Sequence, residues 1–184
     1  MAAILIIGGL LSGVISLTAP TASAQTKPSI SPVELDIPAI GESIPLINVG
    51  LTSGGNMDVP KNFKQAGWYQ YGPVPGQEGS AVIAAHVDNG GYKPTTAGVF
   101  KHLDQVKPGD IIQARLSDGS LAIFQAVSAD VYRTSAFPSQ QVFQQGGDSY
   151  LKIITCHGAW IPQTHTYDQR LVVTARLVMM AKPS

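Results

Sequence analysis

Residues 108–129 read PGDIIQARLSDGSLAIFQAVSA, and this stretch decides the fold. Its two apolar runs, Asp110–Arg115 and Ala122–Ala129, have strand length and are too short for ordinary helices. Pro108-Gly109-Asp110 precedes the first run and Asp118-Gly119 separates the two, so a turn stands where each run ends. In such turns Gly supplies positive φ and Pro fixes its own φ. Working outward, similar runs recur at Val33–Ile37, Ile44–Val49, Ser80–His86, Tyr150–Cys156 and Leu171–Met179. Gly54-Gly55-Asn56 and Pro75-Gly76 mark further turns between them. About seven strands at this spacing predict an all-β or β-rich domain, closed or nearly closed into a barrel. Helix is expected only at Ser139–Gln145, after Pro138, and more weakly at Val99–Leu103.

Composition supports one β-rich domain. The chain has 184 residues, 44% of them hydrophobic, which provides a core for one domain and not for two of ordinary size. Only 13% are charged, while 19 Gly and 13 Pro favour short strands joined by turns over long charged helices. Lys plus Arg and Asp plus Glu are each 12, with no basic run, which disfavours a nucleic-acid partner. The single cysteine excludes an internal disulfide and argues against a structural zinc site. Cys156 is therefore either buried filler or a reagent.

Ala2 to Ala19 is almost wholly apolar and carries no charge. It reads as a signal-peptide core or as an uncleaved membrane anchor. Ala22-Ser23-Ala24 fits a cleavage site, and the apolar continuity fits an anchor. No Lys or Arg precedes the run, so the charge rule specifies its orientation weakly. The expected organisation is a signal or anchor over residues 1–24, a polar Pro-interrupted linker over 25–31, and the folded domain over 32–181, outside the cytoplasm.

Three residues sit at the ends of apolar runs: His86 closes AVIAAH, Cys156 closes LKIITC, and Arg170 opens RLVV. A strand end lets a rigid scaffold present a reactive group to solvent. Attack of a cysteine on a carbonyl needs a thiolate and a group to protonate the departing amine, and a histidine serves both needs. The oxyanion that develops suits a permanently charged guanidinium. Each residue alone has a plainer reading: His86 a satisfied core histidine, Arg170 a solvated strand start, Cys156 packing filler.

Several collinear motifs resemble the sortase family. They are AVIAAHVD, the GVF of Gly98–Phe100 with Leu103 after it, PGD at Pro108–Asp110, ITC at Ile154–Cys156, and YDQRLVV at Tyr167–Val173. MDVP at Met57–Pro60, GWY at Gly67–Tyr69 and the stretch PVPGQEGSAVIAAH are most similar to the class F branch. The resemblance implies a closed barrel of about eight strands with short helices, and a catalytic constellation falling on His86, Cys156 and Arg170. Thr155 matches the family's Thr before the cysteine, where its hydroxyl would help to fix the substrate; otherwise it is a strand former. Ile153 stands where the family often has Thr, and Ala85 where it commonly has Gly. Neither departure removes a reacting group.

Other candidates rank lower. If the strand continues through His157, its side chain faces away from the thiol. His165, in an expected mobile loop over Gly158–Asp168, and His102 read as exposed loop residues. Arg176 lies about 20 Å along the strand from Arg170. Asp88 either orients the imidazole or caps a turn, and the turn is favoured. Trp68, Tyr69, Tyr92 and Trp160 fit a substrate groove or ordinary packing equally well.

The resemblance implies a two-step acyl transfer: Cys156 attacks an LPxTG-like sorting signal of a surface protein, and an amine of the cell wall or of another protein resolves the thioester. No metal or organic cofactor is implied, and no carboxylate cluster suggests calcium. The membrane is a partner if the N-terminal segment stays uncleaved. The alternatives are a cysteine peptidase hydrolysing the same acyl-enzyme, and a non-catalytic, wall-associated barrel that binds peptides.

Overall fold

The structure, a computed structural model, describes residues 29–182. The expected signal or anchor over 1–24 and the first part of the linker lie outside the described residues. Eight strands form a closed barrel: β1 Pro32–Ile37, β2 Glu42–Val49, β3 Ala66–Tyr69, β4 Gly79–Ala84, β5 Ile111–Leu116, β6 Leu121–Arg133, β7 Ser149–Ile161 and β8 Thr166–Ala181. Around the barrel the order is β1-β2-β3-β4-β7-β8-β6-β5, with β5 pairing back to β1. The β2–β3 and β4–β7 pairs are parallel and the others antiparallel. The stretch over residues 108–129 forms the β5–β6 hairpin, with Ile112 opposite Phe124 and Ala114 opposite Ala122, all four fully buried.

The structure corrects four readings. β3, residues AGWY, was not among the expected strands; it has only four residues, too few for a two-residue period to show. Helix α1 is a single turn, Ser139–Val142, shorter than expected. The weaker helix near Val99–Leu103 is a turn followed by a 3-10 segment at Leu103–Gln105. The expected mobile loop over Gly158–Asp168 is largely paired, because β7 runs on to Ile161 and β8 starts at Thr166.

Alternation places side chains on two faces. Ala81, Ile83, Leu151, Ile153, Leu171, Val173 and Ala175 fill the barrel interior with Leu35, Trp68, Phe100 and Phe124. A second cluster lies on the outer face of β4, β7 and β8, where Val82, Ala84, Ile154 and Val172 are covered by Val142 of α1. β4 is thus buried on both faces, which is why its sequence is a continuous apolar run with no alternation.

Candidate active site

β4, β7 and β8 are neighbours, and their register brings the three candidate residues into one row. Ala84 pairs with Ile154, and the Ala85 N–H donates to the Ile154 carbonyl at 3.2 Å, so the ladder continues one residue past the end of β4. His86 follows, level with Cys156. Across the antiparallel β7–β8 pair, Cys156 lies directly opposite Arg170. Directly opposed residues share a face, and neighbouring strands are about 4.8 Å apart. The cysteine therefore stands between the histidine and the arginine, on the outer face, above the floor formed by Ala84, Ile154 and Val172. All three residues line one groove of about 670 Å³. None is a strand terminus as expected: His86 lies two residues beyond β4, while Cys156 and Arg170 are inside β7 and β8.

The backbone at His86 is held from below. Gly98 N–H donates to the Val87 carbonyl at 2.9 Å, Phe100 N–H to the His86 carbonyl at 3.2 Å, and Val99 N–H to the Phe63 carbonyl at 3.0 Å. Gly98 packs so closely that an added Cβ would collide with the His86 carbonyl. The Gly98–Phe100 motif thus forms the seat of His86. The Phe63 ring packs on the imidazole at 4.6 Å, and His86 Nε2 lies 2.9 Å from the Pro60 carbonyl. A carbonyl only accepts, so Nε2 carries the hydrogen and Nδ1 is left as the basic nitrogen.

Arg170 is fixed by its own strand. Nη1 donates to the Tyr167 and Gln169 carbonyls at 2.9 and 2.8 Å, and Nη2 to Thr166 Oγ1 at 2.9 Å. Burial pushes the Cys156 thiol above its ordinary pKa; Arg170 pulls it down, Asp88 pushes it up, and the Tyr167 backbone and Thr166 hydroxyl favour the thiolate. Burial wins, so the Cys156 thiol holds its proton more tightly than a free cysteine does.

Thr155 is 3% exposed, and its hydroxyl donates to the Ala85 carbonyl at 2.9 Å. Its oxygen therefore faces the backbone beside His86, not the groove. Asp88 does not touch the imidazole: its Oδ1 accepts from Gly90 N–H at 2.7 Å, as a turn cap should, and the Tyr167 hydroxyl donates to the same carboxylate at 2.8 Å. That bond ties the segment after His86 to β8. Burial and then Asp88 push the Tyr167 hydroxyl up to about 12. A bulge after His157, with Gly158 at φ 85°, bends the β7–β8 hairpin over the groove, and Asp168 Oδ1 accepts from Ala159 N–H at 2.7 Å to hold it. An added Cβ at Gly90 would strike the Trp160 ring, so this hairpin packs tightly on the segment after His86.

Of the aromatic candidates, Trp160 lines the groove, Trp68 is core with its indole N–H on the Pro73 carbonyl at 3.1 Å, and Tyr92 is 79% exposed. Tyr69 packs against Phe143 beside the groove floor. His102 is exposed. His165 is exposed too but lines the groove at the hairpin turn, beside Trp160. Arg176 pairs with Asp148 at 3.3 Å, near the opposite end of β8. Sequence reasoning missed Pro60, Phe63 and Thr166 as neighbours of the candidate residues; only the YDQRLVV motif hinted at Tyr167. Among the described residues no group of three His, Cys, Asp or Glu side chains is placed to hold a metal ion.

Comparison with known proteins gives this geometry a family. The sortase domain model matches residues 35–178. Sortase C of Streptococcus pneumoniae is 26% identical, with a TM-score of 0.59 over 80% of this chain and 68% of that one. Sortase A of Listeria monocytogenes is 16% identical, with a TM-score of 0.61 over 84% of this chain and 92% of that one, and shows likeness of fold alone. The same holds for a group B Streptococcus pilus island 1 sortase C2, 23% identical with a TM-score of 0.58 over 79% and 73%. No curated protein sequence matches. With the family model spanning most of the barrel, and the fold shared with solved sortases, the chain belongs to the sortase family of cysteine transpeptidases.

Proposed function

We propose that this protein is an extracytoplasmic sortase, most similar to class F, in which Cys156, His86 and Arg170 carry out acyl transfer on an LPxTG-like sorting signal. The observation that supports it best is the row of His86, just past the end of β4, Cys156 on β7 and Arg170 on β8 at one groove. A thiol proton passes to His86 Nδ1, and the Cys156 thiolate attacks the Thr carbonyl of the signal. The guanidinium of Arg170 faces the oxygen on which charge develops. The C–N bond then breaks, His86 returns its proton to the departing amine, and a thioester remains. An incoming neutral amine reverses these roles: its nitrogen bonds to the acyl carbon, one of its protons goes to His86, and the C–S bond breaks to restore the thiolate. Thr155 acts as a positioning residue, tying β7 to the backbone beside His86. The apolar half of the groove, with Met57, Phe137, Phe143 and Ile154, suits the apolar residues of the signal. MDVP, GWY and the stretch before His86 support class F, and the apolar run Ala2–Ala19 supports a signal or anchor that places the domain at the cell surface.

The test is incubation with a panel of sorting-signal peptides, with and without amine acceptors, reading products by mass spectrometry. A mass shift on Cys156 followed by aminolysis products is expected. Hydrolysis products alone, with every acceptor, would assign a peptidase instead; no adduct with any peptide would refute the reading.

A further inference from the structure

Asp88, Gly90, Trp160 and Tyr167 also line the groove, and they meet one another at one end of it. Asp88 is the only carboxylate among the groove-lining residues, and Arg170 the only side chain there with a permanent positive charge. The two do not neutralise each other: the guanidinium is taken up by Thr166, Tyr167 and Gln169, and among the described residues no cation lies within ion-pair distance of Asp88. The carboxylate has only neutral donors, Gly90 N–H and the Tyr167 hydroxyl. A carboxylate offers about four acceptor positions, so roughly two remain open. A half-buried carboxylate with open acceptor positions has room for a further donor, and a charged donor makes the stronger bond. The aromatic rings of Trp160 and Tyr167 stand at the same end, 5.4 Å apart by their centroids, and aromatic faces attract cations.

We propose that Asp88, with Trp160 and Tyr167, forms the subsite for the acceptor amine and recognises it as a primary ammonium. The inference rests on the acyl-transfer reading above and adds where the second substrate sits. The site adjoins His86, which must take a proton from the acceptor. An acceptor held there releases one proton to solvent and passes a second to His86 as its nitrogen bonds to the acyl carbon and the C–S bond breaks. The arrangement also accounts for a carboxylate that otherwise opposes the reaction, since its charge disfavours the Cys156 thiolate.

The test uses the full-length chain, acylated with a sorting-signal peptide and then offered either glycinamide, an ammonium at neutral pH, or hydroxylamine, which is uncharged there. Each variant is read as the ratio of the two transfer rates, so that losses common to both acceptors cancel. Asp88→Asn is expected to lower glycinamide transfer relative to hydroxylamine transfer by about tenfold, through a higher KM for glycinamide, the scale of one hydrogen bond to a charged group. Tyr167→Phe removes the hydroxyl while keeping the carboxylate and the ring, and is expected to shift the ratio much less. An unchanged ratio in Asp88→Asn, or equal shifts in the two variants, would overturn the subsite. Absence of a thioester in the wild type would overturn the acyl-transfer reading together with the subsite, whereas a normal thioester with an unchanged ratio overturns the subsite alone.

Discussion

Replacing Gly98 by Ala should damage a residue that Gly98 never touches with a side chain. Gly98 has no positive φ, so backbone strain is not the issue. Its added Cβ would meet the carbonyl of His86 and come within 2.9 Å of the His86 Cβ, and a backbone carbonyl cannot swing aside as a flexible side chain can. The two segments must separate by roughly 1 Å to reach ordinary contact. That weakens the bonds from Gly98 to Val87 and from Phe100 to His86, each worth about 1 kcal/mol. With about half of each bond lost and overpacking adding about 1–3 kcal/mol, the total is roughly 2–4 kcal/mol. For a domain of this size the midpoint of thermal unfolding should fall by about 5–15 °C. The imidazole shifts with its backbone, and a displacement of about 1 Å costs on the order of a hundredfold in turnover. Gly54→Ala is the control, since its Cβ would have nothing nearer than 3.7 Å and its φ is not positive. Thermal melting and the rate of thioester formation measure the two effects. A Gly98→Ala protein with wild-type melting and wild-type acylation would refute the account of how His86 is seated.

Cys156→Ala should abolish covalent capture of the sorting peptide while the protein still melts cooperatively; residual turnover above a few per cent would remove Cys156 as nucleophile. Arg170→Lys keeps the charge but loses the planar fork that reaches Thr166 and two carbonyls at once, and should cost about 3 kcal/mol, a hundredfold or more, mainly in turnover. Arg176→Lys, at an exposed ion pair with Asp148, should be nearly silent in the same assay, and comparable losses in both would place the third catalytic residue elsewhere. The raised Cys156 pKa has a definite sign: the folded state holds the thiol proton more tightly than the unfolded chain, so this group's contribution to stability is complete below the unfolded value of 9.0 and falls as pH rises beyond it. Denaturant melts at a series of pH values should show a loss above about pH 9 that is smaller in Cys156→Ala; identical slopes would contradict the burial effect. Thr155→Val keeps the strand-forming shape and removes the bond to Ala85, so it should lower stability by about 1–3 kcal/mol and turnover in parallel; normal melting and normal turnover would show that this tie is dispensable.

Short-range regularities were open to reading from the chain alone. The hairpin of β5 and β6 announces itself because apolar runs of strand length flank an Asp-Gly turn, and both signals are local. The candidate side chains were legible as types: a thiol, an imidazole and a guanidinium beside apolar runs, in motifs that resemble one family. Their arrangement was not. That Cys156 faces Arg170 depends on β7 and β8 pairing past the bulge at Gly158, and the polar, Gly-containing sequence there reads as a loop, since only the partner strand makes it a ladder. Thr155 meets Ala85 across 70 residues, and Tyr167 meets Asp88 across 79. The resting protonation of Cys156 likewise follows from the tertiary structure, because burial, Arg170 and Asp88 act on the thiol through space. Periodicity and turn chemistry act over a few neighbouring residues and are written in the sequence; register, burial and the electric field at a thiol are sums over partners distant in the chain, and exist only once the barrel has closed.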